Sequence, residues 1–323
     1  MFQRPSDLAA QVASGLTDES SSFIREHPRG SDPLVSVIIP CLNVEPTITP
    51  VLKALQGQTY KNFEVIINLD DKRTKDRSAD LIRAFSDTDP RFKLIFDNHG
   101  MAQGRNAGRA ASSGAYLFNL DADLACTPTV LEEAVTRCEV LQHDILVCPE
   151  LSVSYNFWGE CRQLEKIGYL EDSVQESSGR FMRRKVAETL AGADENLLAG
   201  EDYDYFLRAK AAGFVPGRIR AISWHHELWT LTNKAKKLYR YGRSFHHYLN
   251  KYPALGTKQF FFIRRAYIVH WKMWVTHPLY LAGTLWVNAV LYTTCGWGLG
   301  LSLLEVSWGR IKAAFGPKKG QTL

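Results

Sequence analysis

Between Leu228 and Leu304 there is no acidic residue, although ten Lys and Arg fall there; residues 1–227 carry 25 basic and 33 acidic side chains. The first part is thus acidic and the second wholly basic and rich in aromatics, which suits the second to an anionic surface, either membrane headgroups or nucleic acid. No recognisable nucleic-acid module accompanies it, which favours the membrane and argues against nucleic acid as a partner. A GxGxxG turn and a GxxxxGK[ST] loop are also missing. Gly100, Gly104 and Gly108 are spaced GxxxGxxxG instead, so the phosphate cradles of dinucleotide-binding and P-loop proteins are excluded. The six cysteines (Cys41, Cys126, Cys138, Cys148, Cys161, Cys295) form no CxxC pair and sit mostly in apolar runs, as reduced core thiols of a cytosolic protein do. Residues 1–33 have no apolar h-region and are not a signal peptide. They read as a polar leader, either disordered or a short helix lined by Leu8, Val12 and Leu16.

What is present is an alternation of strands and helices. Hydrophobic content of 45% and charged content of 23% are those of a globular chain, and 323 residues suffice for a full α/β core. Val35 to Ile39 is a β-branched run halted by Pro40, and helical spacing of Ile48, Val51, Leu52 and Leu55 follows. Phe63 to Asn68 precedes the helix of Leu81, Ile82 and Phe85; Phe92 to Phe96 precedes a helix over Ala102 to Ala111; Tyr116 to Leu120 is the fourth strand. Strands alternating with helices argue for parallel βαβ units, whose right-handed crossovers bring all the strand ends to one rim. Asn43, Asp70, Asp71, Asp121 and Asp123 therefore share an edge, the place where open α/β sheets gather ligands.

Three stretches carry chemistry. Leu117 to Leu120 is an apolar run that stops at Asp121-Ala122-Asp123, and Asp-x-Asp alternation offers oxygen ligands to one hard divalent cation that would hold a diphosphate. The same acids also suit a helix cap. Gly200-Glu201-Asp202-Tyr203-Asp204 opens a helix that Gly213 stops, so its acids either favour the helix dipole or place a general base. His225 and His226 end a short strand, and neighbours on a strand face opposite ways, so one of them points inward. Arg105 stands at the start of the helix before the fourth strand, as a nucleotide contact or a solvated side chain.

Four segments in order, Val35 to Asn43 (VSVIIPCLN), Phe63 to Asp71 (FEVIINLDD), Gly104 to Asp123 (GRNAGRAASSGAYLFNLDAD) and Arg184 to Gly213 (RKVAETLAGADENLLAGEDYDYFLRAKAAG), resemble motifs of the family-two glycosyltransferases. These are inverting, metal-dependent enzymes of the GT-A fold that use nucleotide-diphospho-sugars. The resemblance spans roughly residues 34–250. It implies that Asp121 and Asp123 form a metal motif for Mn²⁺ or Mg²⁺, completed by His225 or His226, and that Asp202, beside Glu201, is the catalytic base. It also implies that Asp70 and Asp71 meet the nucleoside base, that Arg105 contacts the nucleotide, and that Pro40, Asn43, Glu45, Asp121 and Ala122 line the nucleotide-sugar site. Two departures stand out. Lys72-Arg73-Thr74-Lys75 replaces the usual Gly-Ser, which blurs which Asp reads the base, and Ala191-Gly192-Ala193-Asp194-Glu195 replaces Gly-Gly-Phe-Asp-Glu, which implies a reshaped acceptor side.

In the C-terminal part, Lys234 to Tyr252 reads as a basic helix with aromatics on one side, an electrostatic platform for an anionic bilayer; its Tyr-Gly-Arg-Ser segment resembles that of family members acting at membranes. Leu279 to Leu304 holds no charged residue for 26 positions, enough to cross a bilayer core of ~30 Å. A single crossing would leave Arg310, Lys312, Lys318 and Lys319 outside, against the positive-inside tendency, and Asn288, Gly296, Gly298 and Gly300 interrupt the run. A broken or re-entrant hairpin, or helices in the interface, is therefore expected, with Trp271, Trp274, Trp286 and Trp297 as an aromatic belt; a buried helix pair in a soluble homodimer is the alternative. The expected organisation is a leader over 1–33, a GT-A catalytic domain over 34–227, and basic helices with an apolar segment over 228–323. The expected activity is transfer, with inversion, of a sugar from a nucleotide-diphospho-sugar (a UDP-sugar first, with a GDP-sugar as the alternative) to a membrane-linked acceptor such as a lipid-linked glycan or polyprenyl phosphate, at the cytoplasmic face of the membrane. A nucleotidyltransferase and a catalytically idle membrane adaptor are the rivals.

Overall fold

The computed structural model describes residues 3–170, 178–198, 200–226, 230–253 and 265–315; Glu227, Lys318 and Lys319 lie outside the described residues. After α1 (Pro5–Glu26) the chain runs β1 (Val35–Cys41), α2 (Ile48–Gln56), β2 (Phe63–Leu69), α3 (Ser78–Ser86), β3 (Phe92–Ile95), α4 (Met101–Ala110) and β4 (Tyr116–Asn119). Next come β5 (Leu124–Cys126), α5 (Val130–Leu141), β6 (Ile145–Val147), β7 (Glu150–Ser152), α6 (Phe157–Tyr169), β8 (Gly179–Arg183), α7 (Arg184–Thr189), α8 (Glu201–Ala211), β9 (Pro216–Arg218) and β10 (Ser223–His225). Helices α9 (Leu231–Lys251), α10 (Arg265–Val269), α11 (Trp271–Thr276) and α12 (Pro278–Phe315) follow.

The large sheet has the order β3-β2-β1-β4-β8-β6-β9. Its first three pairings are parallel, as the alternation predicts, so β1, β2 and β4 end on one rim. Period-2 alternation divides the core: Val35, Val37, Ile39, Tyr116 and Phe118 pack with α2 and α5, whereas Ile38, Leu117 and Met182 pack with Ala102, Val186 and Ala209 on the other face. Pro40 does not halt β1, which continues to Cys41 beside β2. Leu120 donates to the Ile38 carbonyl, so the even-numbered residues of β1 turn their polar groups toward β4, and the donor that Pro40 lacks falls beyond the last paired residue of that strand. Gly108 explains the glycine spacing in α4. A Cβ there would meet Ile38 Cγ2 at 2.4 Å, so the glycine lets α4 lie against β1.

A second sheet, β5-β10-β7, is built at the rim. Trp224 pairs with Leu151 in register, and both face a cluster with Ala9, Ala13, Leu170 and Ile222. This overturns the disordered leader. Residues 5–26 form a helix because Ala9, Val12, Ala13 and Leu16 have the back of the small sheet to cover.

The C-terminal part departs furthest from expectation. Helix α12 is continuous for 38 residues, and neither Asn288 nor the three glycines break it. Asn288 turns inward to donate to Glu165 Oε1 at 2.9 Å and Tyr267 Oη at 2.8 Å, and Gly298 sits where a Cβ would strike the Tyr239 carbonyl at 2.4 Å. Asn288 and Gly298 are thus contact points of a helix packed on α6 and α9, while Gly296 and Gly300 lie on its exposed side, and this continuous helix replaces the re-entrant hairpin. Helix α9 is not a free basic platform either. Phe245 and Tyr248 pack with Leu197, Tyr252 donates to Asp204 Oδ1 at 2.8 Å, and Lys251 pairs with Asp194 and Asp204.

Candidate active site

Strand β4 ends at the rim, and the turn Leu120-Asp121-Ala122-Asp123 leads into β5, closed by the Leu124 amide on the Asp121 carbonyl at 3.1 Å. Antiparallel pairing of β10 with β5 brings His225 opposite Leu124, and the His226 amide donates to the Asp123 carbonyl at 2.7 Å. Pairing thereby settles which histidine faces the acids. His225 Nε2 lies 3.1 Å from Asp123 Oδ2 and its Nδ1 lies 3.3 Å from Glu150 Oε1, whereas His226 Nδ1 meets the Tyr155 hydroxyl at 2.9 Å. Burial pushes His225 below its ordinary value against the pull of Asp123. Burial also works to raise Asp123, but the imidazole overrides it and holds the carboxyl far below the usual carboxylate range.

Asp121 is placed differently. Its Oδ1 is 2.8 Å from Arg105 Nη2 and its Oδ2 is 2.9 Å from Arg180 Nη1, so both oxygens are engaged by guanidinium groups. These two cations outweigh the burial that would raise its pKa and hold it ionised. Arg105 is therefore paired with Asp121 in the cavity wall. It is buried, and its other arm reaches Glu201 Oε1 at 3.0 Å. Glu201 opens α8 behind Gly200, which is left-handed at φ 80°. Burial, opposed by Arg105 and reinforced by Asp202, pushes Glu201 up to about 7. Asp202 takes the amide of Tyr203 on Oδ1 at 2.9 Å and leaves Oδ2 toward Arg180 at 3.9 Å.

A cavity of 930 Å³ joins these groups; Pro40, Asn43, Arg105, Asp121, Ala122, Asp123, Glu201, Asp202, His225 and His226 all line it. Glu45, Asp70 and Asp71 stand outside the lining. Glu45 accepts from the Arg77 amide at 3.0 Å, and the buried Asp70 carboxylate holds Arg73 and its amide, so these two acids shape the loops beside the cavity; Asp71 is exposed. Arg73, from the segment that replaces Gly-Ser, does line the cavity.

Arg180, Glu150, Lys234 and Lys237 are among the lining residues not singled out as site residues in the sequence. Arg180 on β8 joins Asp121 to Asp202 and to Glu150 Oε2 at 3.6 Å, and Glu150 on β7 links His225 to Lys166. An Arg inside the otherwise apolar strand Phe181-Met182 was the available signal for the first. The other two, Lys234 and Lys237, sit one turn apart on α9 and face the cavity. Burial, together with Lys237 and Arg162, pushes Lys234 down to about 6, which marks a concentration of positive charge beside Asp123.

Among the described residues no group of three His, Cys, Asp or Glu side chains could by itself hold a metal ion. The donors present are a carboxylate and an imidazole whose other nitrogen faces a carboxylate, the arrangement that orients a metal-binding histidine. Two protein donors fit a Mg²⁺-like ion that keeps its waters and shares substrate phosphates. The residues thus fit Mn²⁺ or Mg²⁺ arriving with a diphosphate, with Asp123 and His225 as holders.

Comparison with known proteins agrees with this geometry. EpsH of Bacillus subtilis, described as a putative glycosyltransferase, is 26% identical over 254 residues, 77% of this chain and 60% of EpsH. The mannosyltransferase PcManGT from Pyrobaculum calidifontis, solved in complex with GDP-Man and Mn²⁺, superposes with a TM-score of 0.53 at 15% identity over 96% of this chain and 88% of that one. TarS 1–349 of S. aureus in complex with UDP-GlcNAc gives 0.51 at 13% identity over 88% of this chain and 93% of TarS. Structural likeness at such identities establishes the fold alone. Residues 36–190 match the model of glycosyl transferase family 2, and relatives described as glycosyltransferases align across them, so this chain carries a family-two glycosyltransferase domain.

Proposed function

We propose that the protein transfers a sugar from a nucleotide-diphospho-sugar to a membrane-linked acceptor, with inversion at the anomeric carbon. The observation that carries this reading is the single cavity in which Asp123 and His225 lie 3.1 Å apart while Asp202 offers a carboxylate oxygen to the same space. The nucleotide would lie along Pro40, Asn43 and Arg73, with the base end at the loop that Glu45 and Asp70 shape. A divalent ion held by Asp123 and His225 would neutralise the diphosphate as it leaves. Lys237 adds fixed positive charge where that negative charge develops, and Lys234, held at about 6 by burial and its cationic neighbours, would take up a proton as the diphosphate arrives beside it. Asp202 accepts the proton of the acceptor hydroxyl or phosphate as its oxygen forms the new bond to the anomeric carbon and the bond to the diphosphate breaks. Arg180 and Arg105 hold Asp121, Asp202 and Glu201 in place. The acceptor end of the cavity lies between α6 and α12, where Cys161, Val287 and Leu291 give an apolar lining. That lining and the uncharged helix behind it support a lipid-linked acceptor on the cytoplasmic side.

The test is release of nucleoside diphosphate from a panel of UDP- and GDP-sugars, with Mn²⁺ and in excess chelator. Metal-dependent release from one donor class is expected. Release of inorganic pyrophosphate instead would mean nucleotidyl transfer, and no release from any donor would remove the reading.

A further inference from the structure

From Leu279 to Leu304 helix α12 carries no charged residue on any side, which in a soluble protein marks a helix covered all round. Here it is covered on one side only. Thr284, Val287, Asn288, Cys295, Gly298 and Ser302 recur at helical spacing and are buried on the catalytic body. On the opposite stripe Leu279, Trp286, Trp297 and Leu304 are 66%, 49%, 68% and 68% exposed, and no charged residue interrupts it from Leu279 to Leu304. Such a continuous exposed apolar stripe marks an interaction surface.

We infer that α12 lies flat in the surface of an anionic bilayer, as a wall with the catalytic cavity on one side and lipid on the other. Three observations select this arrangement over a crossing helix and over a second copy of the chain. First, α12 is pinned sideways along its length: Thr284 donates to the Cys161 carbonyl at 3.1 Å, Asn288 to Glu165 at 2.9 Å, and Ser302 meets His246 at 3.0 Å. An upright α12 would drag α6 and α9 into hydrocarbon with Arg162, Lys166, Lys234, Lys237, Arg240 and Arg243, each of them unfavourable near the bilayer centre. Second, a two-fold interface sets the same patch against itself. The exposed cations Lys236, Arg240 and Lys272 outnumber the one acid of this face, Glu305, which already pairs with Arg243 at 2.6 Å, so a second copy would set cations against cations, whereas anionic headgroups attract them. Third, the inner face of the same helix lines the cavity with Thr284, Val287, Asn288, Leu291 and Cys295, so an in-plane α12 brings the acceptor end of the cavity to the lipid. The geometry stands without the acceptor; only its purpose rests on the function proposed above.

The full-length chain tests this with nitroxide labels at Trp286→Cys and Trp297→Cys on vesicles containing 30% phosphatidylglycerol, since the six native cysteines are buried. These positions are eleven residues apart, about 16 Å along a helix axis. An in-plane helix places both labels at the same shallow depth, within a few Å. Depths differing by about 16 Å would establish a crossing and overturn the inference. Two water-exposed labels on a chain that light scattering finds dimeric would assign the stripe to a second copy and overturn it too. A Trp286→Asp, Trp297→Asp double variant should lose at least tenfold in vesicle affinity while its release of nucleoside diphosphate from soluble donor is unchanged. Immersed labels with no donor turnover would remove the proposed function and leave the membrane geometry standing, so the two failures are distinct.

Discussion

The sheet side of the cavity and its helical side treat charge differently. On the sheet side, Arg105 lies between Asp121 and Glu201, and Arg180 among Asp121, Asp202 and Glu150. On the helical side, Lys234 is buried with Lys237 and Arg162 close enough to disfavour its charge. The first pattern is that of a structure neutralised from within, where each ion satisfies another at the expense of its own hydration. The second concentrates cations at the cavity wall, where an incoming anion would be attracted. Removing a charge should therefore have opposite consequences in the two places.

The largest effects belong to the acids that face the cavity. Asp123→Ala should lower donor turnover by at least about a thousandfold and abolish its metal dependence, with the circular dichroism spectrum retained. Turnover that persists in this variant would detach the metal from the rim. Asp202→Asn keeps the shape and removes the proton acceptor, so acceptor transfer should fall by about two to four orders of magnitude while donor affinity hardly changes. If transfer is normal, Asp202 serves α8 as an N-terminal acid and nothing more.

Arg180→Met and Lys234→Met sharpen the comparison directly. The first leaves buried carboxylates without their partner and should cost about 3–5 kcal/mol of stability in denaturant titrations. The second relieves crowding among cations, so it should be neutral or stabilising at pH 7. Paired with Lys237→Met it should weaken nucleoside diphosphate binding about tenfold to a hundredfold, measured by calorimetry. A destabilised Lys234→Met with unchanged nucleotide affinity would make the helical side another internally paired wall.

The smallest effect is one of pH. Glu201 is raised to about 7 from 4.5, so the folded state retains a proton that the unfolded chain has lost. Its contribution is thus without penalty below pH 4.5, and stability falls as pH rises from 4.5 to 7, by a few kcal/mol at most. Glu201→Gln should flatten that part of the pH dependence of the melting temperature. An equal slope in both proteins would place the burial penalty elsewhere.

The sheet half was legible because strand alternation and rim position are local rules. Val35, Val37 and Ile39 announce a buried strand, and parallel connections bring Asp121 and Asp123 to the edge whatever the rest of the chain does. Choosing between His225 and His226 required the β10–β5 register, which no spacing reveals. The engagement of Asp121 by Arg105 and Arg180 was equally hidden, because the three residues come from separate segments and meet only on folding. The helical half was misread for a related reason. Lys234 and Lys237 lie in a run that looks like a solvated basic face, and only the packing of Phe245 and Tyr248 on the catalytic body turns that run inward. Asn288 and Gly298 looked like breaks in a membrane segment because their partners, Glu165 and Tyr239, are more than fifty residues away in sequence.

The central claim, a diphosphate held jointly by the Asp123–His225 rim and the α9 lysines, is tested most directly by calorimetric titration of UDP and GDP into the full-length protein and the Asp123→Ala variant, each with Mn²⁺ and in excess chelator. One nucleotide should bind the parent chain at least tenfold more tightly with Mn²⁺, and Asp123→Ala should erase that difference while keeping the weaker, lysine-dependent binding. Equal affinity of the parent chain with Mn²⁺ and in chelator, or a Mn²⁺ enhancement that survives Asp123→Ala, would contradict it.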